Sequence, residues 1–502
     1  MNKSKNILSI IFLVAVCAFV VFLATKNKSD RDITVLNPFN NALFPAEFPA
    51  PAFEWRSQVR DSSAWEVSIY TSKSDYKVTD VTRKTIWRPE ESAWDSIRKL
   101  SDNDKIFFRV KKSGRREQGK QVVFRISPDS VGAPILYRQI PLPFVLAEKE
   151  LELMNYMLID PGSPEPPHFA MKGFPVCGNC HSISDNGNHI GLDLDAGRRD
   201  KGGYFLTTIR DTVEFTPDNF MSWSKLEKRS TFGLFSKISP DGRFVVTTVK
   251  DRVVAENPPL NSAESFAYSQ LFFPVNGHLA IYDRELKTLN ELPGANLDEY
   301  VQSNAFWTPD GKSIVFSRAS ALPREKNTYE ITVTDRAVLD SFVSRKKPFK
   351  YDICIIPFND GKGGTAVPVK GASGNGKSNY FPAVSPDGKW IIYCQAENFM
   401  NLMPDSRLYI VPVKGGAPRM LDCNLYAMNS WHSWSPNGKW IVFSSKGLSI
   451  FTDLFLSHID EKGNASIPVL LDRAREYERV CNYPEFINRD PKARFSMRYD
   501  YV

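Results

Sequence analysis

The chain has 502 residues, of which 42% are hydrophobic and 24% charged, and its formal net charge is +7. This length exceeds what one ordinary core supports, so it predicts two or three domains. The positive charge is spread without a long Lys/Arg block, which argues against a nucleic-acid-binding surface. Frequent Pro and Gly, abundant aromatic residues and short apolar runs favour an all-β protein with many turns.

The N-terminus carries an almost wholly apolar run from Ile7 to Ala24, which is 18 residues long. As a helix this run would span about 27 Å, close to the hydrocarbon thickness of a bilayer. No shorter core with a small-residue cleavage site is clear, so we predict an uncleaved transmembrane anchor over residues 1–30. A processed form, either secreted or lipidated at Cys17, is the alternative.

Residues 35–130 contain short alternating or β-branched runs separated by turn-forming residues, the pattern of a small antiparallel sandwich. The segment resembles a fibronectin type III or immunoglobulin-like module, and the resemblance places Trp55 and Trp65 in its core. Residues 131–176 are predicted as a linker. The periodicity of FVLAEKELELMNYML indicates one short amphipathic helix in it, and a proline-rich stretch follows.

A haem-attachment motif follows the linker, at Cys177-Gly178-Asn179-Cys180-His181. In a CxxCH motif the two thiols add to the haem vinyl groups and the imidazole ligates the iron. The alternatives are a redox-active CxxC pair, a zinc site or chance, and zinc would need a second ligand pair that no other Cys/His cluster supplies. We therefore predict one covalent haem c on Cys177 and Cys180, with His181 as the proximal iron ligand.

From Ser182 onward the chain repeats a turn motif followed by an apolar strand. Pro presets φ for such a turn and Gly accepts a positive φ, so each copy predicts two antiparallel strands around a tight turn. The clearest copies are ISPDGRFVVTT, WTPDGKSIVFS, VSPDGKWIIYC and WSPNGKWIVFS. Repeats of this kind bury their faces by stacking around an axis, which predicts a β-propeller over residues 177–502.

The repeat resembles the WD40-like repeat of TolB-type propellers over about residues 182–490. That resemblance implies the fold, whereas such propellers bind, scaffold or catalyse according to what they carry. Aligning the first Ser or Thr of each turn gives six anchors, which predict six blades: Ser184, Ser239, Thr308, Ser385, Ser435 and, in a degenerate copy, Ile487. Little chain follows the last anchor, so strands from before the haem motif are expected to complete that blade.

The register suggests a second haem ligand. His181 and His432 each lie three residues before an anchor, on the innermost strands of two blades, so His432 is the leading candidate for the opposite axial position. His189, His168 and Met171 are competitors, and an open or water-bound iron is the remaining possibility. The choice matters because Met/His ligation raises the reduction potential, while an open site permits catalysis.

Together these features predict a bacterial cell-envelope protein with a single-pass anchor and its body in the periplasm, where c-type haem is attached. The main functional prediction is electron transfer or haem-based redox chemistry with an envelope partner. A propeller that binds a protein or glycan, with a structural or sensory haem, is the first alternative. A haem enzyme of the peroxidase type is the second.

Overall fold

The computed structural model describes residues 33–57, 64–101, 104–114, 119–142, 149–173, 176–195, 200–256, 270–324, 330–476 and 478–499. An N-terminal sandwich is followed by a ring of antiparallel sheets. The transmembrane helix that we predicted as part of the fold is wrong. Among the helices of these residues, none combines the length and apolar character that crossing a membrane requires. The apolar run at residues 7–24 lies outside the described residues.

The sandwich consists of a three-stranded sheet, in the order β1-β3-β6, and a five-stranded sheet, in the order β2-β8-β7-β4-β5. Its elements are β1 (Thr34–Asn37), β2 (Ala42–Phe44), β3 (Phe53–Arg56), β4 (Trp65–Thr71), β5 (Lys77–Thr82), β6 (Ile86–Trp87), helix α1 (Glu91–Ser101), β7 (Ile106–Lys112) and β8 (Lys120–Ile126). Trp55 and Trp65 pack edge to face in the core, with ring centroids 5.9 Å apart. The assignment to a fibronectin or immunoglobulin family stays a prediction.

Helix α1 was not predicted from the sequence. Glu91 lies in its first turn and Arg98 and Lys99 in its last, which complements the helix dipole. Trp94 and Ile97, three residues apart, form the buried stripe that fixes the helix on the sandwich.

Three strands follow where the linker was predicted: β9 (Ile135–Pro141), β10 (Asn155–Ile159) and β11 (His168–Lys172). They pair in the order β11-β10-β9, so the linker prediction needs correction. The predicted helix overlaps residues 143–148, which lie outside the described residues, and continues into a 3-10 turn at Leu151–Leu153 and into β10. The helical periodicity failed because strand β10 is buried on both faces.

Five blades of antiparallel strands then come in chain order, and we number them blades 1 to 5; one parallel residue pair, Gly277 with Val301, joins blades 2 and 3 into an eight-stranded sheet. Blade 1 has β12 (Cys177–Ile183), β13 (His189–Asp195) and β14 (Gly203–Thr208), then β15 (Thr212–Phe215), which lies outside the sheet, and the edge strand β16 (Phe220–Ser222), followed by helix α2 (Trp223–Glu227). Blade 2 has β17 (Leu234–Ile238), β18 (Phe244–Glu256), β19 (Leu271–Asp283) and β20 (Thr288–Glu291). Blade 3 has β21 (Tyr300–Trp307), β22 (Ser313–Ser320), helix α3 (Arg336–Val343), β23 (Asp352–Pro357) and β24 (Val367–Pro368).

Blade 4 has β25 (Ser378–Val384), β26 (Trp390–Ala396), β27 (Arg407–Pro412) and β28 (Arg419–Met420). Blade 5 has β29 (Asn429–Trp434), β30 (Trp440–Ser445), β31 (Asp453–His458) and β32 (Val469–Leu470). The chain ends with β33 (Arg479–Phe486) and β34 (Ser496–Tyr499). Strand β33 pairs with β9, so the two ends of the propeller sequence together build blade 6, in the order β33-β9-β10-β11.

The six inner strands close a ring. Each of β12, β17, β21, β25 and β29 contacts the next inner strand in order, and β33 contacts both β29 and β12. Strand β34 also pairs in parallel with β15 beside blade 1, which fastens the end of the chain across the closure. These contacts define a six-bladed β-propeller, with one sheet for each anchor found in the sequence.

The anchor hydroxyls explain why the turn motif repeats. Ser239 Oγ donates to Asp241 Oδ1 at 2.5 Å and accepts from the Phe244 amide at 2.8 Å, which closes the turn between β17 and β18. Ser184 in blade 1 makes the same two bonds, to Asn186 Oδ1 at 2.7 Å and from the His189 amide at 3.0 Å. The haem motif therefore belongs to the propeller repeat itself.

The sandwich packs on blade 5. Trp94 of the sandwich and Trp440 of blade 5 belong to one continuous apolar core. Beside this core the Arg475 guanidinium lies 3.0 Å from Glu54 of the sandwich and 3.1 Å from Asp453 of blade 5. Shared apolar burial and these ion pairs hold the two parts together.

Candidate functional site

The CxxCH motif forms most of β12, the innermost strand of blade 1. In the ladder with β13, Cys177 pairs with Asp195 and His181 with Leu192, and the register shifts between Gly178 and His181. A β-bulge of this kind re-aims the side chains that flank it. The inner strands of the other blades shift at the equivalent place, where residues with positive φ occur: Phe235, Asn304, Phe381, Trp431 and Tyr483.

These residues fill the central channel. The space that remains along the axis is only about 60 Å³, between side chains that include Phe235, Phe381, Trp431 and Tyr483. Cys180 occupies the equivalent position of blade 1 in the sequence register. It is partly buried, and burial raises the pKa of its thiol to about 12.

Cys180 lines a cleft at the end of the ring where the inner strands begin. The cleft has a volume of about 360 Å³. This volume falls within the range of small-molecule sites, about 300–1,000 Å³. Phe232 and Phe272 supply apolar surface, Arg138 and Lys446 supply basic side chains, and Asp195 supplies a carboxyl group.

His181 lies behind the wall of this cleft, with 1% of its surface exposed. Tyr156 and Tyr483 approach its ring edge-on, with centroids 6.0 and 5.3 Å away. Within the described part of the chain, neither ring nitrogen makes a hydrogen bond of normal geometry, although the backbone of Leu136 in blade 6 interacts with the imidazole and opposes the fall of its pKa. Burial, with Lys237 and Arg138 nearby, lowers the pKa of His181 well below its usual value, so the imidazole is neutral.

Glu485 faces His181 from blade 6. Its Oε2 lies 3.8 Å from His181 Nε2, and its Oε1 accepts a hydrogen bond from Lys237 Nζ at 2.9 Å. Burial raises the pKa of Glu485, which Lys237 opposes. Oε2 is itself buried without a partner in the described residues.

Asp193 on β13 also lines the cleft, and one of its two carboxylate oxygens lacks a hydrogen-bond partner in the described residues. Its Oδ2 accepts from the Ser236 amide at 3.2 Å, whereas its Oδ1 is buried without a partner among the described residues. Burial raises the pKa of Asp193 to about 7, against hydrogen bonds from Ser236. Sequence reasoning missed Asp193, Glu485 and Arg138, because strand alternation does not distinguish a buried carboxylate from an exposed one.

His432 occupies the equivalent position in blade 5, but the structure gives it a hydrogen-bonding role. Its Nε2 donates to the Ile392 carbonyl of blade 4 at 2.9 Å, and its Nδ1 lies 3.9 Å from the Cys394 thiol. Burial lowers the pKa of His432 to about 4. His181 lies between blades 6 and 1, so the two imidazoles occupy different gaps of the ring.

The competing ligands lie on other strands. His168 and Met171 are on β11, the outermost strand of blade 6, where His168 is exposed and Met171 is buried in an apolar cluster. His189 begins β13 and packs against Gly242 in the turn of blade 2. In the described residues, no three His, Cys, Asp or Glu side chains are grouped so that they could hold a metal ion.

The sequence matches no family model, and no curated protein matches it either. Among solved structures, the chain is similar to TolB from Acinetobacter baumannii, at 13% identity over 80% of this chain and 86% of that one, with a TM-score of 0.44. It is also similar to a putative TolB from Agrobacterium tumefaciens, at 13% identity over 70% and 98% of the two chains, with a TM-score of 0.36.

A third similar structure is hydrazine synthase from Kuenenia stuttgartiensis, at 12% identity over 61% of this chain and 71% of that one, with a TM-score of 0.32. Because these identities and TM-scores are low, we assign the propeller fold from the six blades and the closure of their inner strands into a ring.

The geometry of the motif fits the predicted haem in two respects. Cys180 opens onto a cleft with apolar surface, and the adjacent His181, behind the wall of that cleft, is a neutral imidazole whose nitrogens make no hydrogen bond of normal geometry in the described structure. A buried polar group without a partner costs about 1–3 kcal/mol, so this pattern favours a bound group that completes it.

Proposed function

We propose that this protein is a binding propeller of the bacterial periplasm that carries one haem c in the cleft of blade 1. Cys177 and Cys180 would hold the haem covalently, and His181 would ligate its iron. A bound haem supplies one-electron redox chemistry. The protein supplies an apolar cleft at one end of a closed ring, where a protein or glycan ligand would also bind.

The observation that carries the proposal is the imidazole of His181, which makes no hydrogen bond of normal geometry in the described residues and directly follows a cleft-lining cysteine. An imidazole with 1% exposure would ordinarily be hydrogen-bonded, as His432 is. The neutral state of His181 is also the one that binds a metal. Glu485 Oε2 lies 3.8 Å from Nε2 of this ring, beyond hydrogen-bonding distance, and places a carboxyl group beside it.

The test is expression of the full chain with and without a c-type maturation system, followed by a pyridine haemochrome spectrum and intact mass. We expect one covalent haem per chain with the maturation system. Replacing Cys177 and Cys180 together by Ala should abolish it, whereas the matched control Cys423→Ala, in blade 4, should retain it. Wild-type protein without covalent haem would overturn the proposal.

A second candidate role is electron transfer with an envelope redox partner. It is favoured by the partial exposure of Cys180, because a group attached there has an edge near solvent. Rapid, complete and reversible reduction of the bound haem by small mediators would support this role. Haem that stays oxidised under those conditions would contradict electron transfer. The binding role, with a structural or sensory haem, would then remain.

A further inference from the structure

The cleft beside Cys180 has two chemically different sides. Blade 2 contributes three phenylalanines to it: Phe232, Phe235 and Phe272. Blades 5 and 6 contribute the cations Lys446 and Arg138. In the order of the ring, blades 5 and 6 are adjacent and blade 2 lies across from blade 5, so the phenylalanines and these two basic side chains lie on different sides of the cleft. Blade 1 adds Asp193 and the ion pair of Asp195 with Lys201.

Arg138 is poorly satisfied by the protein. Its Nη2 donates to the thioether sulfur of Met154 at 2.9 Å, and its Nε is buried without a partner in the described residues. A thioether is a weak acceptor, whereas a guanidinium binds a carboxylate through two parallel hydrogen bonds. Arg138 is half-buried, and leaving its buried Nε without an acceptor is costly, so an anion from a ligand would complete this site.

The position of Arg138 connects it to the haem motif. Arg138 lines the same cleft as Asn179 and Cys180 of the motif. Lys446 adds a second cation with 5% of its surface exposed, and burial lowers its pKa to about 7. A carboxylate beside Lys446 would favour its charged form.

We propose that the cleft binds an amphipathic carboxylate, with its apolar body on the phenylalanines of blade 2 and its carboxylate on Arg138. The carboxylate has two possible sources. If it is a propionate of the attached haem, the inference rests on the proposed function. If it is a free amphipathic acid, such as a long-chain fatty acid, the inference stands without the haem.

The first experiment uses the full chain purified without haem maturation and titrates it with protoporphyrin IX and with its dimethyl ester. Binding is read from quenching of tryptophan fluorescence, because Trp431 lines the cleft. We expect the acid to bind at least tenfold more tightly than the ester, which is about 1.4 kcal/mol. Equal affinities in the wild-type protein would overturn the inference without any variant.

Arg138→Gln should remove the difference between the acid and the ester. Lys312→Gln, which removes the same charge from an exposed turn of blade 3, should keep it. Circular dichroism and the thermal midpoint would establish that both variants fold, and Lys446→Met replaces Arg138→Gln if that variant does not. Full discrimination in a folded Arg138→Gln protein would also overturn the inference.

A second experiment separates the sources by titrating dodecanoate into the protein with and without covalent haem. Haem that fills the site should abolish dodecanoate binding, whereas an independent acid site should leave it unchanged. Arg138-dependent binding of dodecanoate in a chain that never acquires covalent haem would overturn the proposed haem and support the carboxylate site. Covalent haem without any preference for the acid over the ester would support the haem and overturn the carboxylate site.

Discussion

Blades 1 and 5 place a histidine at the same position of the repeat and use it differently. In blade 5, His432 Nε2 donates to the Ile392 carbonyl, on the second strand of blade 4, at 2.9 Å. In blade 1, His181 meets the equivalent backbone, at Leu136 of blade 6, but neither of its nitrogens makes a hydrogen bond of normal geometry in the described residues. The same scaffold position is structural in one gap and open for chemistry in the other.

The neighbours of the two imidazoles account for this difference. The ring of His432 contacts a backbone carbonyl and a thiol, which satisfy it without any added group. The ring of His181 contacts two tyrosines and the unpartnered oxygen of Glu485. A buried histidine therefore indicates a functional site only when its hydrogen-bond partners are missing.

The largest predicted effect is in blade 5. His432→Ala removes the donor to the Ile392 carbonyl and leaves a cavity between blades 4 and 5, which should lower the free energy of unfolding by about 3 kcal/mol. Urea unfolding of the haem-free protein measures this change. His432→Gln, whose amide can still donate, should lose less, and equal losses for Ala and Gln would contradict the role of the hydrogen bond.

The pH dependence of stability should have opposite signs in the two blades. Burial lowers the pKa of His432 to about 4. In the unfolded chain it is about 6.5. Between these values the unfolded chain binds more protons, so His432 makes the protein less stable as the pH falls.

Burial raises the pKa of Asp193 to about 7. Its unfolded value is about 3.9.

For Asp193 the folded chain binds more protons between these two values, so stability falls as the pH rises from about 4 to 7. Each group contributes at most about 1.4 kcal/mol per pH unit. Urea unfolding across pH 4 to 8 measures how the free energy of unfolding depends on pH. His432→Gln should reduce the loss of stability towards acidic pH, and Asp193→Asn should reduce the loss towards neutral pH. If neither substitution changed the pH dependence of the free energy of unfolding in its own pH range, the predicted charge states would be wrong.

The smallest predicted effect is His181→Leu in the haem-free protein. The imidazole makes no hydrogen bond of normal geometry in the described structure and has only a weaker interaction with the Leu136 backbone, so an apolar residue of similar volume should change the free energy of unfolding by less than about 1 kcal/mol. A loss as large as that of His432→Ala would show that His181 has partners like those of its counterpart. In the haem-loaded protein the same substitution should change the absorption spectrum of the oxidised iron.

The repeat and the haem motif were readable from the sequence because both depend on local chemistry. Pro and Gly determine the turn after each anchor, and the anchor hydroxyl closes it through contacts within five residues. The six anchors therefore indicate the six sheets. The segment after the sandwich was misread because β10 is a strand buried on both faces, which periodicity alone does not separate from a helix.

The sequence by itself determined the repeat, its register and the neighbouring positions of Cys180 and His181. Only the tertiary structure decided which histidine is hydrogen-bonded, because the backbone groups that face the two rings, Ile392 for His432 and Leu136 for His181, come from the preceding blade in the ring. For His181 that blade is built from strands more than 300 residues apart in the chain. The charges near the haem motif, Arg138 and Glu485, also come from this blade, and long-range pairing of this kind leaves no local pattern.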